Sequence, residues 1–430
     1  MYFNSFKASS DETREGMELI EIAWQKAKEI LRGNISPYGL MASAAGYRQV
    51  WARDLGISAL GAVLLDDEAI TQSLLTSLRT LKEYQADSGA IPILVSASDP
   101  PVVKYGAANC SGIDAPMWYI LTLYYLWKSG KISRADIDEF KESLGKTVYW
   151  LRCQDSNEDY LLETPENSDW RDLWFYRHHV LYNDVLYFAA QRAVEEFREY
   201  FSFNIPISSR ETKKAVNLFY RVSLENFEVI RELDRTNTLS TTQMSELYAY
   251  ITGLLARYPY YLPYVALCDF GYECDVVGNL LAIFFGVADE QQREMILDYL
   301  EQCGAADPYP IAVLDKPVEP TDRRWSPWCA KCHLNLPYQY HNGGIWPFVG
   351  GFYVAALVIA GRMREAEYHL ERLAEGCKKG KKSEWEFNEW LNKQTGKPMG
   401  SPQQLWSAAM YCLAYRAVKD KTIPVFKEWI

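Results

Sequence analysis

The sequence predicts an all-α fold, an (α/α)6 toroid of two concentric helix rings. Three observations predict it. Apolar residues recur at three-and-four spacing along nearly the whole chain, the period of helices with a buried face. The helical stretches alternate between apolar all round and charged on one face. Strand-like alternation bounded by turns is scarce.

The first stretch, 17–31, opens after Ser9, Ser10 and Asp11, which can cap a helix, and ends near Gly33. Further stretches fall near 54–66, 68–87, 113–130, 133–153, 180–200, 210–235, 241–254, 274–286, 288–303, 346–361, 363–378 and 402–419. Stretches 113–130 and 346–361 are apolar on every side and must be buried on every side. Stretches 133–153, 288–303 and 363–378 carry a charged face. Alternation of the two kinds is what an inner and an outer ring require. Short extended pieces are expected near 91–95 and 310–313. No Pro-, Gly- or Ser-rich linker interrupts the chain, so residues 1–430 are expected to form one domain.

Long polar and aromatic segments precede the buried helices: 46–54, 105–114, 166–183, 325–346 and 384–404. In a toroid they converge at one mouth, which makes them candidate site builders.

Composition narrows the function. The formal net charge of −11 disfavours nucleic acid as a partner. The richest apolar run, Leu280–Val287, is far shorter than the roughly eighteen residues of a membrane span. The opening residues carry no apolar leader, so a cytoplasmic location is expected. Nine scattered cysteines fit reduced core thiols. Cys329, Cys332 and His333 form a CxxCH pattern, read here as a structural or incidental pair rather than a haem or metal site. Aromatics make up 14% of the chain, which serves either a core of large side chains or a site that stacks on sugar rings.

Position favours the second use. Trp51, Arg53 and Asp54 stand together at a helix start, able either to cap it or to bind adjacent sugar hydroxyls. Asp114 opens another helix, with Trp118 one turn later. Asp169, Trp170, Arg171 and Asp172 put two acids and a tryptophan in one short loop, and a tryptophan beside a carboxyl raises its pKa as a general acid needs. Tyr340, His341, Asn342 and Trp346 join hydrogen-bonding groups to an aromatic around two turn glycines. Glu384, Glu386 and Glu389 offer a base, and Gln404 and Trp406 follow at a helix start.

These blocks resemble the alkaline/neutral invertases, glycoside hydrolase family 100. More distantly, they are similar to the amylo-α-1,6-glucosidase domain of glycogen debranching enzymes. The resemblance rests on Val50–Asp54, the Asp114 helix start, Gly278–Ile283, His341–Pro347 and Gly400–Trp406, in the family's order. It implies a six-hairpin glycosidase fold and an inverting mechanism. By order, the family's acid falls on Asp172, although the Arg-Arg-Met-Gly continuation is missing; its base falls on Glu389. Asp169 remains a local rival for the acid, and Glu386 and Glu384 for the base. The implied substrate is sucrose or a related small α-glucoside, held by Trp51, Arg53, Asp54, Asp114, Trp118, Trp170, Tyr340, His341, Asn342, Trp346 and Gln404. No metal or organic cofactor is implied. Rival readings are an amylo-α-1,6-glucosidase or glucosylglycerate-type hydrolase, a disaccharide phosphorylase, and a non-catalytic sugar-binding protein.

Overall fold

The computed structural model describes residues 10–106, 111–198, 200, 205–236, 244–255, 258–266, 269–424 and 428–429. Six helices form a closed inner ring: α2 (Ala52–Ala62), α4 (Asp114–Lys128), α7 (Leu181–Phe197), α11 (Val276–Phe284), α14 (Pro347–Ile359) and α16 (Leu405–Asp420). Each packs on the next, and α16 returns to α2. Outside them lie α1 (Ser10–Gly33), α3 (Glu68–Glu83), α6 (Lys141–Arg152), α8 (Ser209–Phe219), α12 (Glu290–Gln302) and α15 (Met363–Lys378), each against an inner helix. The (α/α)6 toroid read from the sequence is therefore the fold.

The alternation has a physical cause. Every residue of α4 from Asp114 to Leu126 is buried, and so is every residue of α14 from Pro347 to Val358. In α15 only the Ala366, Leu370, Leu373, Ala374, Gly376 and Cys377 stripe is buried. Close approach within the inner ring depends on missing side chains. A Cβ on Gly61 would fall 1.8 Å from the Ala409 carbonyl oxygen, and one on Gly351 would fall 2.5 Å from that of Met410.

Several boundaries differ from the sequence reading. Stretch 133–153 divides into α5 (Arg134–Glu139) and α6 because buried Phe140, packed edge-on to Tyr119, takes a turn of its own between them. Stretch 210–235 divides into α8 and α9 (Leu224–Arg235) at buried Tyr220, whose phenol bonds Asp184 and whose carbonyl accepts the Leu262 N–H. Helix α10 (Met244–Leu255) matches stretch 241–254, whose first residues lie outside the described ones. The short helix α13 (Pro327–Cys332) was not expected. The extended piece near 91–95 is realised as Leu94–Ser96, the middle strand of a three-stranded sheet with Gln49–Trp51 and Val103–Lys104. A second such sheet joins His179–Val180, Tyr264–Ala266 and Asp269–Phe270. The piece near 310–313 makes only a bridge, Ala312 to Ile345.

Helix starts differ between the rings. Outer helices α3, α8 and α12 and the short α5 open on Asp67, Ser208, Asp289 and Ser133, whose side chains accept backbone N–H groups of the first turn, whereas outer helices α6 and α15 open on Phe140 and Arg362 without such a cap. The inner helices open on Trp51, Ile113, Val180, Asp275, Trp346 and Gln404, with no such cap. Residues at these starts are left to line or support a common mouth. Among the described residues, no helix is long and apolar enough to cross a membrane.

Candidate active site

At that mouth lies a partly open cavity. Trp51, Arg53 and Asp54 come from the start of α2, and Trp170 and Asp172 from the loop before α7. Tyr340, His341 and Trp346 come from the loop before α14, and Glu389, Gln404 and Trp406 from the segment that starts α16. Ala42 and Tyr47 complete the wall.

The two carboxylates of the sequence reading, Asp172 and Glu389, face this one cavity from different loops. Asp172 Oδ2 accepts the Tyr340 hydroxyl at 2.8 Å. Glu389 Oε2 accepts the Ser401 N–H at 2.9 Å and the Tyr47 hydroxyl at 3.4 Å. Burial pushes the Glu389 carboxyl up to about 7, and the Asp54 and Asp172 charges add to the rise. Asp54 is also pushed up to about 7, chiefly by burial, with Arg53 opposing.

The local rivals are committed elsewhere. Asp169 accepts the Arg171 N–H at 2.8 Å, pairs with the Arg171 guanidinium at 3.5 Å, and does not line the cavity. Arg171, 2% exposed, also pairs with Asp275 at the start of α11, so it turns away from Asp172. Glu386 accepts the backbone N–H groups of Lys381, Lys382 and Ser383, which hold its carboxyl below the usual range despite burial. Glu384 sits with Lys378, Lys379, Lys381 and Lys382 in a larger, open surface groove.

Part of the remaining wall is polar and unpaired. Arg53 Nε, Trp170 Nε1, both ring nitrogens of His341, both amide atoms of Gln404 and Trp406 Nε1 are buried without a hydrogen-bond partner in the protein. Buried polar groups are ordinarily paired, so seven such atoms around one cavity suit a ligand rich in hydroxyls. His341 stacks on Trp346 with ring centroids 5.1 Å apart and meets Trp170 edge-on. Burial, with Arg171 and Arg53 nearby, lowers its pKa well below the ordinary histidine value, so the ring is neutral.

Three expected sugar contacts stand behind the wall rather than in it. Asp114, Trp118 and Asn342 are all 0% exposed, and none lines the cavity. Asp114 stands behind Arg53, accepting its Nη1 at 3.4 Å, and so orients it. Burial raises the Asp114 pKa to about 6, against the pull of Arg53. Trp118 faces inward onto Gly56 and donates to the Tyr182 hydroxyl at 2.9 Å. Asn342 ties Val318 and Asn335 together. The sequence reading missed Tyr47 and Asn335. Tyr47 lies within segment 46–54 as an aromatic near a candidate arginine; Asn335 lies within segment 325–346 as an ordinary polar residue.

In the CxxCH segment the Cys329 side chain is outside the described residues, and among the described residues Cys332 and His333 belong to no metal-ligating cluster. Among the described residues, the cluster at metal-ligand spacing is Asp159, Glu163 and His179, none of which lines the cavity.

The closed double ring of helices, with acid side chains gathered where the inner helices start, defines a six-hairpin glycosidase. Solved structures agree on the fold. The chain aligns over 91% of its length with 99% of a family 63 mannosylglycerate hydrolase from Thermus thermophilus in complex with glucose, at TM-score 0.55 and 16% identity. It aligns over 94% of its length with 64% of a rhamnosidase from Klebsiella oxytoca, at TM-score 0.60 and 14% identity. A bacterial glucoamylase complexed with acarbose gives TM-score 0.56 and 14% identity, over 95% of this chain and 57% of that one. In sequence, the chain is 20% identical over 464 residues to probable alkaline/neutral invertase D of Arabidopsis thaliana, covering 96% of this chain and 84% of that protein. The profile of the alkaline and neutral invertase family matches residues 17–421, and the chain belongs to that family. It is thus a glycoside hydrolase, and its substrate is a carbohydrate.

Proposed function

We propose that the chain is an inverting, exo-acting hydrolase of a small α-glucoside, with Asp172 as general acid and Glu389 as general base. One observation carries the reading. Asp172 and Glu389 reach a single cavity from separate loops, and the rest of its wall offers buried polar atoms without protein partners. An inverting site needs an acid on the leaving oxygen and a base on a water at the opposite face of the ring. Asp172 protonates the departing oxygen while Glu389 takes a proton from the attacking water. A base with its pKa pushed up to about 7 can hold that proton near neutral pH.

Arg53, Trp51, Asp54, Trp170, His341, Trp346 and Gln404 bind the glucosyl unit. Asp114 acts through Arg53. The whole chain serves as one catalytic domain, supported by a continuous apolar cluster running from Ala23 to Trp429. The acidic composition suits a cytoplasmic enzyme acting on a neutral substrate. Hydrolysis is favoured over phosphorolysis because Glu389 offers a base at the cavity, which a phosphorylase would lack.

Activity on sucrose, maltose, isomaltose, trehalose and glucosylglycerate tests the reading, with Asp172→Asn, Glu389→Gln, Asp169→Asn and Glu386→Gln in parallel. At least one glucoside should be cleaved. The first two variants should lose about 100-fold or more in kcat, the scale of general acid–base catalysis, beyond any loss in the other two. No turnover of any glucoside, or undiminished turnover in either of the first two variants, rejects it.

A further inference from the structure

Tyr340 was expected from the sequence to touch substrate, but its hydroxyl is engaged with a carboxylate. Tyr340 Oη donates to Asp172 Oδ2 at 2.8 Å, and among the described residues it is the sole hydrogen-bond donor to that side chain. The other ionisable groups that face Asp172, namely Tyr47, Arg53, Asp54 and Glu389, make no hydrogen bond to it.

The backbone is set to place this phenol. Tyr340 lies at φ +48°, a left-handed conformation uncommon for a bulky residue and retained only where the surroundings impose it. Its carbonyl accepts both Trp346 Nε1 and the Gly344 N–H at 3.0 Å. A Cβ on Gly344 would sit 2.6 Å from that carbonyl oxygen, so the turn admits glycine alone without rearrangement. The acid is fastened to the same segment. Asn335, fully buried, donates from Nδ2 to the carbonyls of Asp172 at 2.9 Å and Leu173 at 3.3 Å. Its Oδ1 accepts the His341 N–H at 3.1 Å. The acid's loop and the phenol's loop therefore form one unit, cross-linked at backbone and side chain.

Resting on the hydrolase reading above, we infer that Tyr340 is a positioning residue that fixes which oxygen of Asp172 delivers the proton. With Oδ2 held by the phenol, the acidic proton resides on Oδ1. It passes from Oδ1 to the glycosidic oxygen as the C1–O bond breaks, and the bonding electron pair stays with the departing oxygen. Asp172 is left as a carboxylate with the phenol O–H already directed at it, and Tyr340 keeps its own proton. Burial and the neighbouring carboxylates hold the phenol far above its ordinary pKa, consistent with a permanent donor.

The test is Tyr340→Phe, assayed on an alkyl α-glucoside and on α-glucosyl fluoride, whose leaving group departs with little help from an acid. Turnover of the alkyl glucoside should fall by about 10- to 100-fold, the scale of a lost hydrogen bond to a charged group. KM should stay within about twofold, because the interaction matters in the transition state. The loss on the fluoride should be about tenfold smaller or less. Equal losses on both substrates would overturn the inference, since a merely structural defect ignores the leaving group. A raised KM with normal kcat would also overturn it, returning Tyr340 to substrate binding. Asp172→Asn on the same pair separates this inference from the reading beneath it. If that variant itself shows no preference for the fluoride, the acid assignment fails first.

Discussion

Gly400→Ala should disable the proposed base without altering any chemical group of the site. Gly400 lies at φ +66°, and a Cβ there would stand 2.4 Å from Glu389 Oε2 and 2.6 Å from Glu389 Cβ. Restoring an ordinary contact of 3.4 Å requires about 1 Å of movement, and a catalytic misplacement of that size costs about 100-fold in rate. The left-handed backbone costs about 1–2 kcal/mol for a non-glycine residue, and overpacking adds about 1–3 kcal/mol. Gly396→Ala is the control. It shares the strain, at φ +64°, but its Cβ would meet only Tyr309, at 3.2 Å, and Pro308, at 3.5 Å. Urea unfolding and kcat on the best glucoside should show both variants less stable, with turnover lost in Gly400→Ala alone. If the folded Gly400→Ala enzyme turns over within about threefold of Gly396→Ala, the carboxylate is not held as described, and the rate argument from geometry falls.

Other expectations follow from the same contacts. The acid limb of kcat/KM should lie near pH 7, because Glu389 must lose its proton to act as base and burial holds it up to about 7. Its effect on stability has the opposite sign. A carboxyl raised in the folded state contributes stability that is complete below its unfolded value and lost as pH rises through the folded one. Glu389→Gln should therefore lose less stability than wild type between about pH 5 and pH 8 in urea titrations; parallel curves would contradict the shift. Asp275→Asn removes one partner of buried Arg171 and should destabilise by about 3–5 kcal/mol, the cost of breaking a buried ion pair; a change under about 1 kcal/mol would show that Asp169 alone suffices. Trp118→Phe should lower stability, through loss of its bond to Tyr182, while leaving KM within about twofold, since Trp118 lies behind the cavity; a large rise in KM would restore it as a sugar contact.

The rings were legible in the sequence because burial on every side is written into inner helices such as α4 and α14. In α14 nothing from Pro347 to Val358 is charged, so the element itself reports its place. The break at Phe140 was not legible, because it depends on where Tyr119 stands in another helix. The sheet containing His179–Val180 escaped notice for a similar reason: its strands are two or three residues long, and their pairing partners are near Val265. At the site, the residue types that carry chemistry stood out in their loops, and Asp172 and Glu389 do face one cavity. The direction of a side chain was harder to read. Trp118 follows Asp114 by one turn, yet it points at Gly56 of the neighbouring helix. Asn335 is an ordinary polar residue in sequence, and its role comes from hydrogen bonds to Asp172 and Leu173, 163 and 162 residues away.

The most direct test of the two-carboxylate account is the anomer released first. A water held by Glu389 attacks opposite the departing group, so proton NMR of the initial product from an α-glucoside should show β-glucose, with the α-anomer growing in only by mutarotation. If α-glucose appears first, the configuration is retained, and the assignment of Asp172 as acid opposite Glu389 as base is contradicted.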